Sequence, residues 1–446
     1  MDDGAAGAAM LKALRKRRGL SLAETARALI SIAERLGQPR TSLPSIAGLQ
    51  RSVARWESAH PTRPDERHQL LLAHLYGRTP AGAVALGAGS DFAELMDALT
   101  HLGESAAQLA MLRSVLVRAA TEQGGGMLAL LSTGVQAGLA AAMADPSRTD
   151  DNLVTGLAGV VSDVNAQVSS LPFVRLQLML APALEACRQL LTGPLPDELA
   201  SQLRGVSVAA HTLAGRLAFE TRDDTASRGL YAAATREAGL LPDPWRRATV
   251  HMSHALTTLY STHGLDGARQ LVDTAVRDAR TGGSVVVRAR AHALQAEIAA
   301  RAGQRRQAEA ALGLAWFDME RDHSGDPSAT SFAAGHLRGF EGVCQLWVGD
   351  PSLAHDRFAA SAAVLSAPRE QVQRAIVRTD QALARIRMGE PRSAAELLHE
   401  CLLTAASTGG RVPAIRLRRA RQELRPWRRE DWVADLDDHL MDVLGS

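Results

Sequence analysis

Apolar positions recur every three to four residues through most of this chain, and from residue 90 onward they almost never alternate singly as they would along a half-buried strand. In "MLKALRKRR", residues 10 to 18, Leu11 and Leu14 share a face, and Gly19 marks the end of that helix. Ser21 followed by Glu24 forms a capping box for a second helix, whose small face is Ala23, Ala26 and Leu29. Two short helices joined at a Gly turn make the front half of a helix-turn-helix. In "GLQRSVARWESAH", residues 48 to 60, Val53 and Trp56 turn inward together and leave Gln50, Arg51, Ala54 and Arg55 facing out. From residue 90 onward the spacing stays helical, so the pattern predicts an all-α chain.

A repeat is legible in the second half. Gly303 leads to Ala308 in "GQRRQA", Gly349 to Ala354 in "GDPSLA" and Gly389 to Ala394 in "GEPRSA". Twelve residues before each Ala stands a small residue (Ala296, Gly342, Ala382), and seven after it another (Ala315, Ser361, Cys401). Small residues at these offsets let the two helices of a hairpin approach closely, with the Gly ending the first. "HGLDGARQLVDTA" repeats the step with Ala268 and Ala275 and a turn one residue shorter, and "RDDTASRGLYAAA" repeats it more weakly with Ala226 and Ala233. The series resembles the tetratricopeptide repeat, with five units between residues 203 and 408. Residues 81–202 read as helical without a register, and residues 409–446 as capping helices.

Composition supports helix over strand: 46% of residues are apolar and 4% aromatic, with Ala and Leu carrying the apolar share. A chain of 446 residues has room for more than one domain. Its net charge of +2 hides an asymmetry: residues 1–80 hold 13 Lys or Arg against 7 Asp or Glu, and the remainder 37 against 41. A basic head on a faintly acidic body points to a polyanion partner for the head. The chain's two lysines, Lys12 and Lys16, both lie in that head, which excludes a phosphate-loop NTPase, a protein kinase or a pyridoxal enzyme farther along.

Cys187, Cys344 and Cys401 have no paired spacing, so they suggest neither disulfides nor a zinc site, and they fit a reducing cytoplasm. Asp2 and Asp3 stand where a signal peptide would be basic. "MLALLSTGVQAGLAAAMA", residues 127 to 144, is uncharged, but its Ser, Thr, Gln and two Gly read as a buried core helix rather than a membrane span.

"LKALRKRRGLSLAETARAL", then "SVARWE", then "RPDERHQLLLAHLYGRTP" together resemble the phage-repressor-like helix-turn-helix family, the Xre type, over residues 8 to 80. The resemblance implies double-stranded DNA as partner, with Gln50, Arg51 and Arg55 facing bases and Val53 and Trp56 packed inward. Lys16, Arg17, Arg18, Ser21 and Ser52 would meet phosphates. Arg15 and Glu57 would pair to brace the first helix against the third. One departure is the stretch "ISIAERLGQPRTSLPSIAGL" between second and third helices, which is longer than the family's connection. There Ile30, Ala33 and Leu36 extend the second helix, and Arg40, Thr41 and Ser42 either touch phosphate or sit in an inert loop.

Fusions of such a head to such repeats resemble bacterial regulators, the actinobacterial and quorum-sensing types among them. The resemblance implies a repeat body that senses a peptide or small molecule; the need for two half-sites points to a homodimer, and neither a cofactor nor an enzymatic activity is expected. If the Gly ends each first helix, the inward positions are His251, His254, Thr258, Arg290, Glu297, Arg301, His336 and Trp347. These line an effector groove, a solvated groove or a partner subunit. "RVPAIRLRRARQELRPWRRED", with eight Arg between Arg411 and Arg429, reads as a capping helix with a solvated face or as a second nucleic-acid surface. No hydrolase elbow, metalloprotease or dinucleotide signature is present. A regulator accounts for the basic head, whereas the competing reading, a helical-repeat adaptor without DNA binding, does not.

Overall fold

The computed structural model describes residues 3–36, 44–80, 90–121, 131–261, 264–367, 370–408 and 410–444. All regular structure among them is helical, with no β-strand. The chain divides into two compact units, Met1–Val160 with Gln177–Leu199, and Val161–Leu176 with Ala200–Ser446.

The first unit begins with α1 (Asp3–Arg17), α2 (Leu22–Arg35), α3 (Ile46–Trp56), α4 (Glu66–Tyr76), α5 (Asp91–His101) and α6 (Ala106–Thr121), followed by α7 (Thr133–Ala144). Helix α1 ends in a Schellman turn: Gly19 takes φ 67°, and the Leu20 and Gly19 N–H groups donate to the Arg15 and Lys16 carbonyls at 3.1 and 2.9 Å. Ser21 then caps α2. Its hydroxyl accepts the Glu24 N–H at 3.2 Å while the Glu24 carboxylate accepts the Ser21 N–H at 2.8 Å. Leu14, Leu29, Leu49, Val53 and Trp56 are buried in one core.

That core does not stop at residue 80. Phe92, Leu95, Met96, Ala98 and Leu99 of α5 belong to it, as does Leu116 of α6. Helices α1 and α5 touch so closely at Gly7 that a Cβ there would lie 2.6 Å from the Ala98 carbonyl oxygen. Of the segment 127–144, residues 127–130 lie outside the described residues and Thr133–Ala144 form α7; among the described residues no helix is long and apolar enough to cross a membrane.

The division falls within α8 (Asp151–Ala166) and α9 (Phe173–Leu190), each of which contributes residues to both units. The second unit continues as α10 (Asp197–Glu220), α11 (Asp224–Gly239), α12 (Pro244–Leu259), α13 (Gly264–Thr281), α14 (Val285–Arg301) and α15 (Arg305–Met319). It closes with α16 (Ala334–Val348), α17 (Pro351–Val364), α18 (Gln371–Arg387), α19 (Pro391–Thr408), α20 (Arg411–Glu423) and α21 (Asp431–Leu444). Helices α12 to α19 pack as four successive pairs, and the first helices α12, α14, α16 and α18 also touch in sequence. Ala268, Ala275, Ala296, Ala308, Ala315, Ala354, Ser361, Ala382 and Ala394 are fully buried between paired helices. Gly303 and Gly389 make the turns at φ 74° and 84°.

In the pair α10/α11 the register differs by one residue from the one read in the sequence. Ser227 and Ala234 are buried where Ala226 and Ala233 were expected. The turn residue is Arg222, at φ 65°, whose N–H and that of Asp223 donate to the Phe219 and Ala218 carbonyls at 3.0 and 2.8 Å. An arginine therefore occupies the left-handed position that Gly303 and Gly389 hold in the later pairs. Twelve residues before Ser227, Gly215 lies against the Tyr231 ring and accepts the Ser227 hydroxyl at 2.7 Å.

Candidate nucleic-acid interface and the face covered by α20

Helix α3 starts at Ile46, four residues before Gln50, because the Ser45 hydroxyl accepts the Gly48 N–H at 3.1 Å and caps it. It ends at Trp56. Leu49, Val53 and Trp56 are sealed into the core, and Arg51, Ala54 and Arg55 are exposed on the far side with Gln50 half-buried beside them. Gln50 and Arg51 thus sit in the second turn. Ser52 donates to the Gly48 carbonyl at 3.3 Å, and Arg55 Nη2 donates to the Ser52 hydroxyl at 3.3 Å. Helix α3 is fastened to α1 through Arg15, whose Nε and Nη2 donate to the two Glu57 carboxylate oxygens at 2.8 and 2.7 Å.

The basic residues at the end of α1 divide into two kinds. Lys16 is exposed. Arg17 is half exposed and pairs with Asp91 at 2.7 Å and Glu94 at 2.8 Å, both on α5. Arg18 departs from a phosphate-facing role: its side chain is 10% exposed, pairs with Asp91, donates to the Arg78 carbonyl at 2.6 Å and lies over the Tyr76 ring. Asp91 is held below the usual carboxylate range by these two guanidiniums, which outweigh the burial that opposes them. Ser21 is committed to capping α2. Arg40, Thr41 and Ser42 lie outside the described residues.

In the second unit the expected inward residues separate. His251 is buried with Nε2 3.8 Å from Asp278 on α13, and that carboxylate is already held by Arg247 at 2.6 Å. His254 stacks on Tyr231 of α11, ring centroids 4.5 Å apart, and burial pushes its imidazole down to about 4. His251 therefore faces α13, the second helix of its own pair, while His254 faces α11, and Thr258 is buried. His336 accepts the Ala333 N–H at 3.2 Å and stacks on Phe332. Arg290 is depressed by burial and by Arg216 of α10. Glu297, Arg301 and Trp347 do gather: Arg301 pairs with Glu297 at 2.7 Å, and its guanidinium carbon lies 5.2 Å from the Trp347 ring centre.

Over this cluster lies α20. No residue from Arg411 to Ala420 is exposed, so the helix expected to have a solvated face has none along that stretch. The reason is chemical complementarity. Pro413, Ala414, Leu417 and Ala420 are buried, and each inward arginine finds an acid or a ring. Arg411 pairs with Asp224 and sits 4.3 Å from the Phe219 ring centre. Arg416 pairs with Asp380 of α18 and lies over Tyr260, and Arg419 lies 4.4 Å from the Trp347 centre. Glu220, buried and raised in pKa by that burial, accepts the Val412 N–H at 3.1 Å.

Sequence reasoning passed over Asp380, Tyr260, Arg416 and Arg419. Their one local signal is the spacing of Ala414, Leu417 and Ala420, which gives α20 an apolar stripe amid its arginines. Among the described residues no group of three or more His, Cys, Asp or Glu is placed to hold a metal ion. Comparison of the chain with family models, with curated proteins and with solved structures returns no match.

Proposed function

We propose that this chain is a sequence-specific DNA-binding transcriptional regulator: a phage-repressor-like helix-turn-helix head on a tetratricopeptide-like body that dimerises and senses an effector. The observation that carries this reading is α3, a helix whose one face is locked into a core while the other presents Gln50, Arg51 and Arg55 to solvent. Gln and Arg side chains match adenine and guanine edges in the major groove. In this reading α3 enters that groove, Lys16 and Arg17 meet the backbone beside it, and Arg18 holds α1 to α5.

A single small head reads too few base pairs for useful specificity, so the reading includes a homodimer on two half-sites. Leu314 and Phe317 on α15 are 43% and 62% exposed, an apolar surface suited to a second copy. Cytoplasmic location and an effector held by the first helices of the pairs complete the reading. Footprinting on the DNA upstream of the protein's own gene tests it. The expected result is one protected region with two half-sites and an affinity that falls steeply with salt. A chain that binds that DNA and a scrambled duplex equally would favour an adaptor.

A further inference from the structure

Three guanidiniums from three helices surround one indole. The guanidinium carbons of Arg419 (α20), Arg301 (α14) and Arg387 (α18) lie 4.4, 5.2 and 5.9 Å from the Trp347 ring centre. Arg416 of α20 lies over Tyr260, whose hydroxyl accepts from Arg301 at 3.4 Å. Against these four cations stand two carboxylates in direct contact, Glu297 on Arg301 and Asp380 on Arg416. The exposed Glu423 adds a weaker opposing charge near Arg419. Positive charge is in excess where burial weakens solvent screening.

Two observations show that hydrogen-bonding capacity here is unused. Arg416 Nε is buried with no hydrogen-bond partner, on a side chain only 11% exposed. Among the described residues Arg419 makes no hydrogen bond or ion pair, and its guanidinium is depressed by burial first and then by Arg301 and Arg387, against the opposing pull of Asp380 and Glu423. A buried donor without an acceptor and like charges drawn round one ring both raise the free energy of the empty site. Arg387 is exposed, so the cluster opens to solvent on that side.

We propose that Arg301, Arg387, Arg416 and Arg419 form a binding site for a small dianion, a phosphate group or a dicarboxylate, seated beside Trp347 and closed by α20. The inference rests on the reading of this face as the effector site and names the effector's charge. The dianion balances the surplus cations, accepts from Arg416 Nε and Arg419, and ties α20 to α14 and α18. Forked guanidinium donors suit both oxyanion types.

The test uses the full chain, titrated with inorganic phosphate and in a parallel arm with succinate, against sodium chloride at matched ionic strength. The expected result is a saturable rise in Tm of about 2 °C or more in at least one arm, which also tells the two sources apart. Arg419→Gln and, independently, the exposed Arg387→Gln should each abolish or strongly weaken the response, whereas Arg51→Ala in the head should retain it. No saturable rise in either arm overturns the site, as does an undiminished response in both arginine variants. Loss of the response in Arg51→Ala would place the anion on the head and overturn it too. Footprinting is read separately, so failure of operator binding with this response intact refutes the regulator reading and leaves the anion site standing.

Discussion

Arg15 and Glu57, 42 residues apart, meet in a two-pronged ion pair at 2.8 and 2.7 Å with side chains 10% and 7% exposed, and Arg15 Nη1 also donates to the Leu20 carbonyl at 2.7 Å. One guanidinium thus ties the end of α1, the turn into α2 and the end of α3, and so fixes how α3 presents its outer face. Breaking such a pair from one side leaves a buried charge uncompensated. Glu57→Gln should cost about 3 kcal/mol in denaturant unfolding, while Arg15→Met with Glu57→Leu should cost clearly less. Equal losses in the single and double variants would mean that the pair contributes packing alone.

Arg222 carries strain that its counterparts avoid. A left-handed conformation costs a non-glycine residue about 1 kcal/mol, and among the described residues the exposed Arg222 side chain makes no hydrogen bond or ion pair to offset it. Arg222→Gly should therefore stabilise the second unit by up to about 1 kcal/mol. Arg222→Val, β-branched at positive φ, should destabilise it, and thermal melts of the two variants check both signs.

His254 gives the second unit an acid limit. Its folded pKa of about 4 lies below the unfolded value near 6.5, because burial against Tyr231 disfavours the cation. The unfolded state therefore binds the proton first as pH falls. The stability from keeping this ring neutral is complete above pH 6.5 and drains away between there and about pH 4, by up to about 3 kcal/mol. His254→Phe keeps the stack and removes the titration, so its stability should fall less over that interval. An unchanged slope would assign the acid sensitivity of this unit to other histidines in it that burial depresses, among them His211, His251 and His292.

What the sequence revealed was local. The Schellman glycines, the Ser21 and Glu24 box and the buried series Ala308, Ala354 and Ala394 follow from turn chemistry and helical spacing within a few residues. What stayed hidden depends on partners far along the chain. Arg18 looks free until Asp91 arrives from 73 residues away. Helix α5 looks like the start of the body until Phe92 and Leu95 enter the head's core. The arginines of α20 look solvated because Asp224, Tyr260, Trp347 and Asp380, spread over 157 positions, are brought together only by the stacking of helix pairs. Arg222 was missed because a register anchored on glycine cannot see an arginine in a glycine's conformation.

The measurement closest to the central claim compares Arg51→Ala with the unaltered chain on the footprinted duplex and on a scrambled duplex of equal length, across a salt series. Arg51 is exposed on α3, and base contacts carry sequence information that phosphate contacts do not. The account predicts that Arg51→Ala loses about 1 to 3 kcal/mol on the footprinted sequence, loses much less on the scrambled one, and relaxes preference at one or two base pairs. A Lys16→Ala control should weaken both duplexes alike and lower the salt slope by about 0.9. If Arg51→Ala loses the same affinity on both sequences, α3 does not read bases and the account is wrong at its centre.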